Sequence, residues 1–349
     1  MSAFTLLVSA DDRLFAKQFH RDTNGSIARR DYDKAYEVRA VTADVNTIEL
    51  LSEVLTTIEA DPMVCAIPGR LKPGIDPDAV VYRTLHPQED GRPACFDDVP
   101  RRWIMIDMDK VTIPAGLVGD LDRSRRYLLS LLTPEFQNAA HHYQWSASTG
   151  LNGFSTLSIH LFFMLDRPVS NADMKMWANW SNEASRKRGL GKLVDPAVYS
   201  AVQVHYTAAP IFGRGVVDPL LGRRSGFVPG HPTVRLNLAP AYRAEQMRLI
   251  REKIEAQKAR SAVRRNGPAS QIWRKHVDRI GGFDGFHEPV RSAVLVYVTH
   301  DGSDDYGFLA DLHAAIRSAP AGGRNITGDY SMTALKRRLA TTRAKMGGK

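Results

Sequence analysis

Cysteine is nearly absent: Cys65 and Cys95 are the only two in 349 residues. That is too few for a disulfide framework or a four-cysteine zinc module, and the scarcity suits a reducing cytoplasm, the expected location. Long apolar runs are missing as well. None approaches the roughly 20 residues that cross a bilayer, so no membrane partner is expected. The first segment, MSAFTLLVSADDRLF, has no basic residue ahead of its short apolar run, and Asp11 and Asp12 follow where a cleavage site would stand. No export leader is expected. Internal repeats and extended low-complexity stretches are also lacking. An acidic excess is the last absence, since 47 Lys and Arg face 38 Asp and Glu, a net charge of +9 with a pI near 9.6.

The basic surplus is uneven. From Tyr242 to Lys275 ten Lys/Arg stand against three Glu, and from Ala314 to Lys349 eight stand against one Asp. Clustered cations gain affinity for phosphates by releasing counterions, so a polyanionic partner is expected, with a merely solvated basic helix surface as the bland alternative. Arg264, Arg265, Arg274, Lys275, Lys336, Arg337 and Arg338 are the candidate DNA contacts. Trp273, beside Arg274, combines an aromatic ring with positive charge in the manner of a base-stacking site, against the alternative that it is core.

At 349 residues the chain exceeds the roughly 250 to 300 at which single cores stop growing, so two domains are expected. Residues 1–240 read as an α+β catalytic body, 241–268 as a linking helix broken at Asn266-Gly267-Pro268, and 269–349 as a small helical bundle. Within the body, Val45 to Ala60 reads as a helix capped by Asn46, Asp120 to Leu132 as another, and Asn171 as the cap of a third running to about Lys187. A strand from Thr156 to Leu165 should end at Asp166-Arg167-Pro168. A turn and then a strand should follow Asp195-Pro196.

Two stretches carry the chemistry. In Trp103-Ile104-Met105-Ile106-Asp107-Met108-Asp109 the alternation of a strand puts Asp107 and Asp109 on one face. In Leu157-Ser158-Ile159-His160-Leu161-Phe162-Phe163 it pairs Ser158 with His160 in the same way. Two half-buried carboxylates repel and lose hydration unless a cation compensates, and hard oxygen ligands suit Mg²⁺ or Mn²⁺. The alternative for the aspartates is a strand-end cap, and for His160 a satisfied structural histidine.

Together these motifs resemble the archaeo-eukaryotic primase superfamily, specifically the primase-polymerases of plasmids and phages. A hydrophobic strand ending in Asp-x-Asp matches Asp107 and Asp109. A small residue, any residue, then His matches Ser158-Ile159-His160. A hydrophobic residue then an acid matches Val194-Asp195, with Asp218 in Val217-Asp218-Pro219 as a rival third carboxylate. The resemblance covers roughly residues 100–210. It implies a mixed or antiparallel sheet with an RRM-like core flanked by helices, and a small helical domain behind it that assists template recognition.

It also implies that Asp107, Asp109 and Asp195 hold two Mg²⁺ or Mn²⁺ ions for in-line nucleotidyl transfer, and that His160 and Ser158 bind the triphosphate. Ser148, in the turn of Ser146, Thr149 and Gly150, is a further candidate phosphate contact, against the alternative of a simple loop before the strand. His205 stands, with Tyr206, where relatives often carry a basic residue against the nucleotide. The implied partners are single-stranded DNA, NTPs or dNTPs, and a replicative helicase. A haloacid-dehalogenase-like phosphohydrolase is one competing reading, since Asp107-Met108-Asp109 also fits its nucleophile strand. A non-catalytic DNA-binding replication initiator is the other.

Overall fold

The computed structural model describes residues 2–76, 78–265, 269–282, 285–300, 302, 304–320 and 326–347, the side chains of 259–265, 269–271 and 326–327 excepted. The expected break at Asn266-Gly267-Pro268 lies outside the described residues, as do the side chains of Arg264 and Arg265. The chain divides into two compact units, Met1–Gln246 and Met247–Lys349.

The first unit is α+β. Its strands and helices run β1 (Ser2–Ser9), β2 (Gln18–Arg21), β3 (Ile27–Arg30), β4 (Glu37–Val45), α1 (Ile48–Glu59), β5 (Val64–Ile67), β6 (Arg70–Leu71), β7 (Val81–Tyr82) and β8 (Phe96–Asp97). They continue with β9 (Arg101–Thr112), α2 (Leu121–Leu131), α3 (Pro134–Gln137), β10 (His141–Trp145), β11 (Thr156–Val169), α4 (Asn171–Lys187), β12 (Ile211–Phe212) and β13 (Ser225–Val228). An antiparallel sheet orders β5-β1-β4-β7, and a second orders β13-β10-β11-β9. In the second, β9 and β10 are joined through α2 and both pair antiparallel with β11, which lies between them: a split β-α-β unit.

The central strands form because their sequences can be buried on both faces. Ile104, Met105, Ile106 and Met108 of β9 and the whole run Leu161–Leu165 of β11 are buried, the near-continuous apolar pattern of a covered sheet. Opposite faces meet different covers. Phe163 packs against Phe136 of α3, which also meets Trp177 of α4. On the other face Phe162 lies against His142, whose Nδ1 is 2.9 Å from Ser52 Oγ of α1. Trp103 meets Phe4 edge-on there and donates its indole N–H to Ala3 O at 3.0 Å. The first sheet therefore packs on the face that carries Asp107. Polar alternation begins only where that cover ends, at Asp107 of β9 and Ser158–His160 of β11, so it marks the open end of the sheet.

Two helix caps differ from expectation by one residue, the hydroxyl just before or after the expected amide taking the position. Thr47, not Asn46, caps α1 by accepting from Leu50 N at 3.2 Å. Ser170, not Asn171, caps α4 by accepting from Asp173 N at 3.1 Å. Strand β11 does not stop at Asp166 but continues to Val169 through a shift in register. The strand expected after Pro196 is absent: Pro196–Tyr199 is a 3₁₀ turn, and only an isolated bridge joins His205 to Ala66.

Helix α5 (Ala239–Arg265) starts in the first unit and runs into the second, which is helical: α6 (Ala269–Val277), α7 (His287–His300), α8 (Asp305–Ser318), α9 (Ile326–Asp329) and α10 (Met332–Met346). Its own core gathers Trp273, Val290, Val294, Tyr297, Phe308, Leu312, Leu335 and Leu339. No described helix is long and apolar enough to cross a membrane. The division sharpens the charge reading. Residues 1–246 carry 28 Lys and Arg against 28 Asp and Glu, whereas residues 247–349 carry 19 against 10. The entire net charge therefore belongs to the helical unit.

Candidate active site

Asp107 and His160 face each other across the β9–β11 ladder, and His160 Nε2 lies 3.6 Å from Asp107 Oδ1. One step along, Ser158 Oγ donates to Asp109 Oδ1 at 2.5 Å and accepts from Lys110 N at 2.9 Å. The four residues singled out from the two strands thus form two cross-strand pairs. A β-bulge sits beside them, because Ile159 pairs with Met108 and Leu157 with Val111, leaving Asp109 and Lys110 opposite Ser158 alone. Lys110 has φ +52°, an unusual conformation for a long side chain, and its amide is held by the serine hydroxyl. The bulge ends regular pairing just where the carboxylates emerge.

Asp195 arrives at the free edge of β9, where its amide donates to Asp107 O at 3.0 Å. Asn182 of α4 puts it there. That buried side chain accepts from Leu193 N and Val194 N, both at 2.9 Å, and donates to Val194 O at 2.7 Å. The Asp195 carboxylate takes Lys192 Nζ at 2.8 Å and Ala197 N at 3.2 Å. The rival third carboxylate, Asp218, is committed elsewhere: Arg224 donates to it from Nη2 at 2.7 Å and Nε at 3.1 Å.

Electrostatics tie the cluster together. Burial pushes the Asp107 carboxyl above its ordinary value, opposed by His160 and Lys192 and reinforced by the like charges of Asp109 and Asp195. Burial also acts upward on Asp195, but the Lys192 hydrogen bond and the Ala197 amide outweigh it and hold that carboxyl low. Lys17, ahead of β2, is a neighbour that the sequence does not announce. Burial and Arg29 lower its ammonium, while Asp31, Asp109 and Asp107 pull the other way. Its Nζ lies 4.9 Å from the centre of the Tyr32 ring, which stacks on Tyr206 at 3.8 Å. Tyr32, Tyr206, Ser146, Ala147 and Arg224 line a small cleft with His160.

Other expected contacts fare differently. Ser148 lies in a turn fastened to the second strand, where Ser146 N and Thr149 Oγ1 both donate to Ser158 O, at 2.9 and 3.2 Å. His205 requires a correction. It is 3% exposed, its Nε2 is 2.9 Å from Val198 O, and burial drives its pKa down to about 3. A neutral imidazole spent on the main chain braces the 3₁₀ turn after Asp195 and has no open face toward a nucleotide. Trp273 is likewise core, 4% exposed and edge-on to Phe308. Arg274, Lys275, Lys336 and Arg337 are exposed on the helical unit, and Arg338 lies over Tyr330 at 5.0 Å.

Divalent cations fit the chemistry of the donor set, since oxygen ligands dominate and Asp107 is strained by like charge. The set is not closed, however. Among the described residues no three His, Cys, Asp or Glu side chains converge as a metal cluster. The Asp195 carboxylate is engaged by Lys192.

No protein-family model matches the chain, and no solved structure matches it. Over 220 residues it is 26% identical to a protein of Escherichia phage T5 that carries the provisional name replication origin binding protein. The match covers 61% of this chain, which spans 22% of that protein's length, so the similarity joins the greater part of this chain to a small part of a phage protein named for replication.

Proposed function

We propose that this chain is a nucleotidyltransferase of the archaeo-eukaryotic primase type, which makes or extends primers on single-stranded DNA during replication of a phage or plasmid. The observation that carries the reading is the facing pair Asp107–His160, flanked by Asp109–Ser158 and with the Asp195 main chain tied to Asp107. In this reading Asp107 and Asp109, joined by Asp195, hold two Mg²⁺ or Mn²⁺ ions. Bound there, such ions would lower the pKa of the attacking hydroxyl and would neutralise charge on the transferred phosphate. His160 and Ser158 orient the triphosphate from the neighbouring strand. The basic helical unit holds the DNA.

The test incubates the protein with single-stranded DNA, labelled nucleotides and Mg²⁺ or Mn²⁺. Absence of metal-dependent product, with and without a supplied primer, refutes the enzymatic reading. The name of the phage T5 relative favours a second reading, a DNA-binding replication initiator without catalysis. Under it, alanine at Asp107 leaves function intact.

Two further outcomes follow from the geometry. His160→Ala should raise KM for nucleotide about tenfold or more with a smaller change in kcat, because a charge-assisted contact to phosphate contributes roughly 1.5–3 kcal/mol to binding. A pure kcat defect would contradict this role. Lys192→Ala should tighten Mn²⁺ by up to about fivefold in calorimetry, since it frees Asp195 from a half-exposed ion pair of the kind that contributes roughly 0.2–1 kcal/mol. Unchanged Mn²⁺ affinity would show that Lys192 does not compete with the ion.

A further inference from the structure

The helical unit contains an open groove of about 390 Å³ lined by Tyr306 and Leu309 of α8 and by Met332, Lys336, Leu339 and Arg343 of α10 and its start. Tyr306 stands at its mouth and is 85% exposed, the most exposed large apolar side chain described. The floor is apolar, with Leu309 and Leu339 buried in the unit's core. The rim is cationic. Lys336 lines it, is exposed and has no acidic partner among the described residues, and Arg337 beside it in sequence is exposed too. The one acid at the groove, Asp305, is already neutralised, because Arg343 Nη1 and Nη2 both reach its carboxylate at 2.5 Å and Tyr297 Oη donates to it at 3.0 Å.

We propose that this groove captures an unpaired base of single-stranded DNA, with Tyr306 stacking on the base and Lys336 meeting an adjacent phosphate. A flat ring over an apolar slot accepts any base, because every base has a π-face, and a cation beside it takes the backbone. The surrounding charge fits such an occupant: the unit's 19 Lys and Arg exceed its acids by nine. A docking peptide would use the apolar floor but has no need of this cationic excess. The volume lies within the roughly 300–1,000 Å³ of pockets that hold small ligands. Base capture reassigns the stacking role from Trp273, which is core, to Tyr306. It rests on the nucleic-acid part of the proposed function and is independent of the metal chemistry.

The test uses the full chain and measures fluorescence anisotropy with labelled oligonucleotides, single-stranded and duplex, without nucleotide or metal. Tyr306→Ala should weaken single-strand binding about fivefold or more, the range for one stacked base. Duplex binding should change less than twofold, because a paired base cannot enter the groove. Tyr306→Trp should restore single-strand affinity. Lys336→Gln should weaken both forms and reduce the salt slope by about one. Asp107→Asn should leave all of these affinities unchanged, so failure of the catalytic reading and failure of base capture are separately visible. Unchanged single-strand affinity in Tyr306→Ala, or equal losses on single strand and duplex, would overturn the proposal.

Discussion

Asp107→Asn is expected to lower metal-dependent nucleotide incorporation at least about a thousandfold, since loss of metal-borne charge stabilisation removes several kcal/mol from the transition state. Single-strand binding should survive, because the basic excess lies wholly in the helical unit. The same variant should melt higher than the parent when both are metal-free near neutral pH. Burial, Asp109 and Asp195 raise the Asp107 carboxyl above its unfolded value. A raised carboxyl stabilises the fold while protonated, and that stability is lost as pH rises through the folded value. Above the folded value the ionised group therefore opposes folding, and a neutral amide of the same shape removes the opposition. Below about pH 3, where the carboxyl is protonated in both states, the difference in Tm should vanish. Loss of activity together with a lower Tm at neutral pH would point instead to a structural role for Asp107.

The legible part of this site was the part written within single strands. Asp107, Asp109, Ser158 and His160 stand out because each polar side chain interrupts an apolar run at a spacing of two, and the structure brings all four together across the β9–β11 ladder. The α+β character and the helical C-terminal unit were legible for the same reason, from periodicity and caps. What was hidden depends on contacts distant in sequence. Lys17 and Tyr32 come within electrostatic range of Asp107 from a segment whose strand β2 pairs with β12 nearly two hundred residues later, Gln18 opposite Ile211. A lysine before a short strand has no local signature of that placement. His205 misled because Val204 and Tyr206 flank it with the alternation of a strand, whereas the chain makes only a bridge there and spends the imidazole on Val198. That Trp273 is core while Tyr306 is exposed was hidden because sequence gives an aromatic its helix but not which side of the helix faces a neighbour.

Asn182 shows how a residue without any motif can decide the site, and Asn182→Ala carries the largest expected effect on stability. In sequence it is one polar residue among several in Trp180-Ser181-Asn182-Glu183, ordinary for an exposed helix face. In the structure it is buried, and its amide closes three hydrogen bonds with Leu193 and Val194, whose own side chains are buried too. Truncation leaves two N–H groups and one carbonyl without partners in the interior, each at a cost of roughly 1–3 kcal/mol. With partial relaxation the total should be about 3–5 kcal/mol, a large share of the 5–15 kcal/mol that holds a typical domain. For a unit of this size the melting temperature should fall by about 10 °C. Asn182→Asp should not rescue it. A carboxylate still accepts from both amides but presents an oxygen to Val194 O, and it adds a negative charge near Asp195 and Asp107. Both variants should also lose incorporation at temperatures where they remain folded, because the segment that ties Asp195 N to Asp107 O is no longer clamped. An Asn182→Ala protein with the parent's melting temperature would show that α4 does not position the third carboxylate.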